Sequence, residues 1–302
     1  MCISEEETIQ RNAVLARRAA RRAPQVDAAG AAESELNDFI AEHVDLRRFG
    51  IECEFIGDQT RVQDAIIAAG DRCIRMGYNH ETQADWKIVT DGSIRGAGGE
   101  LVSPILASTD GMRRLRMACT GLTRAQARVN TSCGLHIHHE MHERSVAVVK
   151  NTLLLYAMNQ SLINAMLAPS RRNNTYCRPY DVIQLAETFR NLEHTESNWA
   201  TWSGRIQSAL FDRYFVINTQ SLGRYGTLEF RQHQGSTNFQ RIAAWVRFGQ
   251  AILRAAARGD VPIAFTSHTT LFETLHLSQE DRDYWMSRIT YFANPTGHGT
   301  RE

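Results

Sequence analysis

The chain has 302 residues, enough for one large domain or two modest ones, and 43% of them are hydrophobic, enough for a continuous core. Its 34 basic and 33 acidic residues leave a formal charge of +1, so composition gives no global reason to expect nucleic acid or an anionic membrane as partner. There is no N-terminal apolar core of signal-peptide length and no run of the roughly 18 apolar residues a membrane helix needs. The cysteines Cys2, Cys53, Cys73, Cys119, Cys133 and Cys177 form neither a C-x-x-C pair nor a dense framework, and the sequence predicts a cytoplasmic protein with reduced thiols.

Residues 11–25, RNAVLARRAARRAPQ, favour a helix by propensity, but their apolar face is too thin to bury deeply. Residues 1–45 therefore read as an Ala/Arg-rich arm and linker, and 46–302 as the organised domain. The arginines of the arm read as a solvated helix face, with nucleic acid or a protein partner as the alternative.

In GIECEF, Ile51, Cys53 and Phe55 alternate with Glu52 and Glu54, the period of a strand with one apolar and one acidic face. A helix is predicted over 60–76, with Ala65, Ile66, Ala69 and Cys73 on one stripe. WKIV follows as a strand ending in a turn at Asp91-Gly92-Ser93, and GGELVSP as a short strand closed by Pro104. A helical segment over 110–128 leads to SCGLHIHHE, where His136 and His138 share one strand face and His139 lies on the other. Residues 145–167 read as one long helix, apolar on most sides and buried. After a polar loop holding Arg171, Arg178 and Pro179, DRYFVIN and GTLEFRQH read as strands, the second with Leu228 and Phe230 on one face and Glu229, Arg231 and His233 on the other. Helices over 239–258 and 279–292 complete the chain. The elements lack a strict βαβ alternation, which predicts an α+β fold with a largely antiparallel sheet.

Three strands thus carry an ionisable face opposite an apolar one. Glu52 and Glu54 lie about 6.5–7 Å apart along their strand, and Glu100, behind Gly98 and Gly99, can add a third carboxylate. If these strands are neighbours, their carboxylates repel one another and call for a counter-charge, which divalent cations supply. Oxygen ligands suit Mg²⁺ or Mn²⁺, and imidazole pulls toward Mn²⁺ or Zn²⁺. Arg231, with Arg178 and Arg213, can hold phosphate or carboxylate oxygens bidentately. Carboxylates, metals and arginines together point to phosphoryl transfer.

In order, GIECEF, DGSIRGAGGELVSP, SCGLHIHH, RPY, RYFVIN and TLEFRQHQGS resemble the amidoligases of the glutamine synthetase and glutamate-cysteine ligase superfamily, from Phe49 to Phe292. The resemblance implies a glutamine synthetase-like catalytic domain over 46–302: a curved antiparallel sheet, backed by helices, whose concave face binds ATP with two or three Mg²⁺ or Mn²⁺ ions. It implies an ATP-dependent ligase that phosphorylates a carboxylate, glutamate in its relatives, so that an amine attacks the acyl phosphate. By motif, Glu54 and Glu100 would hold one metal and Glu52, His136 and Glu229 another. His138 would approach the nucleotide phosphates, Arg231 the transferring phosphoryl group, and Arg178 phosphate or the substrate carboxylate. The resemblance also implies a structural role for His139. Asp91 and Asn218, in matching stretches, read as a turn cap and a buried hydrogen bond.

Two other classes compete. A zinc metallohydrolase would use His136 and His138 to activate water, although neither H-x-H-x-D-H nor H-E-x-x-H is present. A non-catalytic scaffold would retain the fold without needing the ionisable set. The sequence specifies neither the acceptor amine nor the general base nor the oligomeric state.

Overall fold

The computed structural model describes residues 46–193, 198–259 and 264–294. The Ala/Arg-rich arm predicted over 1–45, with Cys2, lies outside the described residues.

The chain opens with β1 (Phe49–Ile56), whose alternation is realised: Phe49, Ile51, Cys53 and Phe55 are buried. Helix α1 (Gln59–Ala68) starts where the Asp58 carboxylate accepts from Thr60 N and Arg61 N. It ends short of the predicted boundary, because Gly70 turns the chain at a φ of 101°. Cys73 therefore leaves the helical stripe and begins β2 (Cys73–Arg75), which runs parallel to β3 (Trp86–Val89). Strand β4 (Gly98–Val102) and helix α2 (Ser108–Arg124) follow, then the histidine strand β5 (Gly134–Glu140).

The helix predicted over 145–167 is two, α3 (Val146–Met158) and α4 (Gln160–Met166). Asn159 separates them: its side chain donates to Leu155 O at 2.9 Å and accepts from Phe265 N at 2.8 Å, fixing the junction. A 3₁₀ turn (Pro169–Arg171) comes next, and α5 (Val182–Glu193) and α6 (Trp199–Ala209) occupy a region for which the sequence predicts no elements. Of the predicted strand at 212–218, only β6 (Ile217–Asn218) joins the sheet, while Phe215 forms a bridge with Arg178. Helix α7 (Ser221–Tyr225) leads into β7 (Thr227–Gln234), followed by α8 (Phe239–Arg258), α9 (His268–Thr274) and α10 (Gln279–Ala293).

The fold is α+β. One seven-stranded sheet has the order β2-β3-β4-β1-β5-β7-β6, antiparallel at every pairing except β2 with β3. Its apolar face is covered by helices; α8 packs on β5 and on α3. Among the described residues no helix is long and apolar enough to cross a membrane.

One face assignment is overturned. Leu135 pairs with His233 and Ile137 with Phe230, so β7 carries one residue more than β5 at this point. This β-bulge shifts the alternation and takes His233 off the ionisable face and into the core against Trp245, with ring centroids 5.3 Å apart. Burial pushes the His233 imidazole down to about 3. A folded value below the unfolded one contributes stability that is present above about 6.5 and lost as pH falls toward 3, near 1.4 kcal/mol per pH unit. We therefore expect His233→Asn to flatten the acid limb of stability by about one proton. Urea titrations between about pH 7 and 5 check this; parallel limbs in variant and wild type reject it.

Candidate active site

Strand pairing assembles the site. Glu54 lies opposite Glu100 across β1 and β4, Glu52 opposite His136 across β1 and β5, and His138 opposite Glu229 across β5 and β7. The two predicted histidines sit within reach of both central carboxylates. His136 Nδ1 is 3.2 Å from Glu52 and 3.5 Å from Glu229; His138 Nε2 is 3.3 Å from Glu52 and 4.0 Å from Glu229. Arg231 forms an ion pair with Glu229, which also accepts from Asn218 Nδ2 at 2.6 Å. The Gly134 amide donates to Glu54 at 2.7 Å, a contact that fixes this carboxylate at the start of β5.

Three overlapping groups have donor atoms close enough to share a cation: Glu52 with His138 and Glu229, Glu52 with Glu100 and His136, and Glu54 with Asp91 and Glu100, each within 4.8 Å. The sequence marks Asp91 only as a turn cap. It does cap the turn, accepting from Ser93 N at 2.6 Å, and its carboxylate also faces Glu54 and Glu100. Nothing in the D-G-S signature distinguishes these two uses. Likewise, the sequence sets His138 apart from the metal ligands, whereas its ring lies between Glu52 and Glu229. Asn218 makes the buried hydrogen bond expected of it.

The electrostatics reflect crowding. Burial pushes the Glu100 carboxyl well above the usual carboxylate range, and Glu52, Glu54, Asp91 and Glu229 push it further. Burial would raise Glu52 too, but hydrogen bonds from His136 and His138 outweigh it and hold Glu52 well below that range. Glu229 is lowered in the same contest, by Arg231 and then His138. His138 is raised, because the attraction of Glu229 and Glu52 exceeds the effect of burial. His139, on the opposite face, is fully buried, and burial holds it well below its ordinary value, as a core residue.

The predicted arginines separate. Arg231 is 8% exposed and belongs to the cluster. Arg178 and Arg213 do not touch the carboxylates described above: Arg178 pairs with Asp212 over the Phe215 ring, and Arg213 lies on Tyr214. They border the Arg231 end of the site through a relay of contacts. Arg231 Nε donates to Tyr176 O at 3.3 Å, and the Tyr176 and Tyr214 rings meet edge to face at 5.5 Å.

At the other end of the cluster, a cavity of about 330 Å³ reaches Glu52, Glu100 and His138 and is walled by Tyr225, Arg224, Thr227 and the segment Asn79, His80, Glu81 and Thr82. That segment is tied down mainly through its main chain, with the Asn79 side chain as the exception. Lys87 Nζ donates to Asn79 O at 2.9 Å and Glu81 O at 2.7 Å, and Tyr225 OH donates to His80 O at 2.7 Å.

The donor set fits divalent cations. Buried carboxylates outnumber the cations that pair with them, and among the described residues no hydrogen-bonding partner offsets the burial of Glu100, so a divalent cation held there would supply the missing charge.

Residues 45–253 match a family model described as "Putative amidoligase enzyme". Structural similarity is found to a crystal structure described as a novel glutamine synthase homolog, with 11% identity and a TM-score of 0.42, covering 88% of this chain and 72% of that one. It is also found to a bifunctional glutathione synthetase from Pasteurella multocida, with 12% identity and a TM-score of 0.39, covering 87% of this chain and 49% of that one. The chain thus spans about half the length of that synthetase. No curated protein sequence matches. With more than half of its length matched, the chain belongs to this amidoligase family.

Proposed function

We propose that the protein is an ATP-dependent ligase that activates a carboxylate, glutamate being the leading candidate, as an acyl phosphate and joins it to an amine in the cytoplasm. The observation that carries this reading is the overlap of three cation-binding groups with one buried arginine on a single sheet face. Glu52, Glu229, His136 and His138 would hold one Mg²⁺ or Mn²⁺ ion, and Glu54, Asp91 and Glu100 another. Bound there, the ions would offset the charge of the triphosphate and polarise its phosphoryl oxygens.

The chain's own residues do the rest. Arg231 presents N–H donors to the oxygens of the transferring phosphoryl group while its pair with Glu229 fixes its direction. Arg178 and Arg213, bordering that end, receive the anionic carboxylate substrate. The cavity beside Glu52 and His138 has room for the part of the nucleotide that lies beyond its phosphates. Keeping the reacting groups away from bulk water favours amine attack over hydrolysis. The amine acceptor is a small molecule, a peptide or a macromolecule that the N-terminal arm would recruit.

The test needs no knowledge of the acceptor. Thermal unfolding of the full chain is followed with Mn²⁺ alone, ATP alone, both together, and Zn²⁺ alone. A ligand at about 100 times its Kd adds close to 2.7 kcal/mol, a shift of several degrees. We expect the largest shift with Mn²⁺ and ATP combined. Stabilisation by Zn²⁺ alone, with no effect of ATP, would replace the ligase by a hydrolase using His136 and His138; no response to any ligand would leave a scaffold.

A further inference from the structure

Opposite His136, the bulged β7 spans one position of β5 with two residues, Arg231 and Gln232. Both are gripped by one segment outside the sheet. Arg171, last residue of the 3₁₀ turn and 2% exposed, donates from Nη2 to Arg231 O at 2.7 Å. Its own carbonyl accepts from Gln232 Nε2 at 3.4 Å. The rest of the Gln232 amide is used on α3 and α4: Oε1 accepts from Tyr156 OH and Gln160 Nε2, each at 2.8 Å, and Nε2 donates to Asn164 at 2.6 Å.

The Arg171 guanidinium also lies near the imidazole. A side-chain carbon on Gly134 would lie 3.0 Å from His136 Nε2 and 3.2 Å from Arg171 Nη2, so ring and guanidinium border the same gap above bare backbone. Burial lowers the proton affinity of Arg171 by more than the attraction of Cys177 and Glu54 raises it, and among the described residues no carboxylate lies within ion-pair distance of it. A buried charge with no counter-ion in contact is costly, and an apolar side chain would fill the site more cheaply, so stability alone does not account for an arginine here.

We propose that Arg171 is a positioning residue. It locks the β7 bulge and the flank of His136, and so sets where Arg231 and His136 stand on the ionisable face. What those two residues act upon rests on the ligase reading.

The test compares wild type, Arg171→Met, Arg171→Lys and Arg247→Met as full chains. Arg247 pairs with Asp281 on the helical side, so its loss destabilises without touching the bulge. Two readouts are taken: Mn²⁺ affinity by electron paramagnetic resonance, and the ¹⁵N resonances of the His136 ring in metal-free protein. In Arg171→Met we expect Mn²⁺ binding weakened about 10–100-fold and the His136 resonances displaced. Arg171→Lys, keeping the charge and one donor, should lose less. Arg247→Met should unfold at lower temperature with both readouts unchanged. Unchanged affinity and resonances in Arg171→Met overturn the positioning role, as do equal losses in Arg247→Met. If the wild type binds no Mn²⁺, the ligase reading fails, and the His136 resonances alone decide the bracing role: displaced they uphold it, unmoved they remove it. Should Arg171→Met not fold, the same two readouts on Arg171→Lys against Arg247→Met decide the matter.

Discussion

Replacing Glu100 with glutamine should make the metal-free protein harder to unfold and the Mn²⁺-loaded protein easier to unfold than wild type. Glu100 is 9% exposed, faces Glu54 across the β1–β4 pairing, and belongs to two of the three cation groups. Burial, then Glu52, Glu54, Asp91 and Glu229, raise its carboxyl well above the ordinary value of 4.5. A raised folded value means that the stability owed to the protonated form is complete below 4.5 and lost as pH climbs through the folded value. Wild type forfeits about 1.4 kcal/mol per pH unit across that window. Glutamine mimics the protonated form at every pH and forfeits nothing, so its advantage is fully developed on the alkaline side, worth about 2–4 °C in Tm per kcal/mol. A divalent cation reverses the sign, because it rewards the anion and glutamine offers it only a neutral oxygen. Calorimetric scans from about pH 6 to 8, with chelator and with Mn²⁺, test both halves. A metal-free Glu100→Gln protein no more stable than wild type would remove the crowding argument; an undiminished Mn²⁺ shift would remove the residue from the metal set.

Arg231→Ala should fold and lose about 10²–10³ in turnover, near 3 kcal/mol or more of transition-state stabilisation. Arg231 is the guanidinium held inside the cluster, by Glu229 on one side and Tyr176 O on the other. Its loss also strips Glu229 of its strongest attraction, so the metal-free variant should melt lower, with Mn²⁺ restoring part of the difference by replacing the missing positive charge. Arg231→Lys should recover little, since an ammonium cannot present the planar pair of donors that phosphoryl oxygens accept. Single-turnover ADP formation, with a carboxylate that supports wild-type turnover, measures the effect. Wild-type rates in Arg231→Ala would falsify its catalytic role. Arg178→Ala should instead act mainly on KM for the carboxylate, because Arg178 is half exposed and tied to Asp212.

Much of the site is legible in the sequence because alternation survives pairing. Glu52 with Glu54, His136 with His138, and Glu229 with Arg231 are each two apart on strands whose intervening residues are apolar, and the sheet keeps each pair on one face. The same rule misplaces His233, since a bulge inserts a residue without leaving a mark in the hydrophobic period. Asp91 escapes because one carboxylate serves both a turn and a cluster. In the helical half, the predicted helix over 60–76 runs through Gly70 although that residue ends it, and the one over 145–167 runs through Asn159, whose two bonds to backbone are tertiary facts. The amphipathic stretches at 182–193 and 199–209 carry a helical period, but they lie between the motifs that organise the sequence and stand out from no flanking signal.

The wall of the cavity is fastened by Lys87 and Tyr225 mainly through carbonyl oxygens of residues 79 to 81; Asn79 alone adds its side chain, whose Oδ1 accepts from Lys87 Nζ at 3.4 Å and from Glu81 N at 2.7 Å. Every amino acid supplies that carbonyl. Side chains at 81 and 82 can therefore be exchanged without loosening these carbonyl ties, so at those positions the shape of the cavity and its chemical lining are inherited independently. Within the family, this would let ligand preference drift along one short segment while the carboxylate and imidazole machinery beside it stays unchanged.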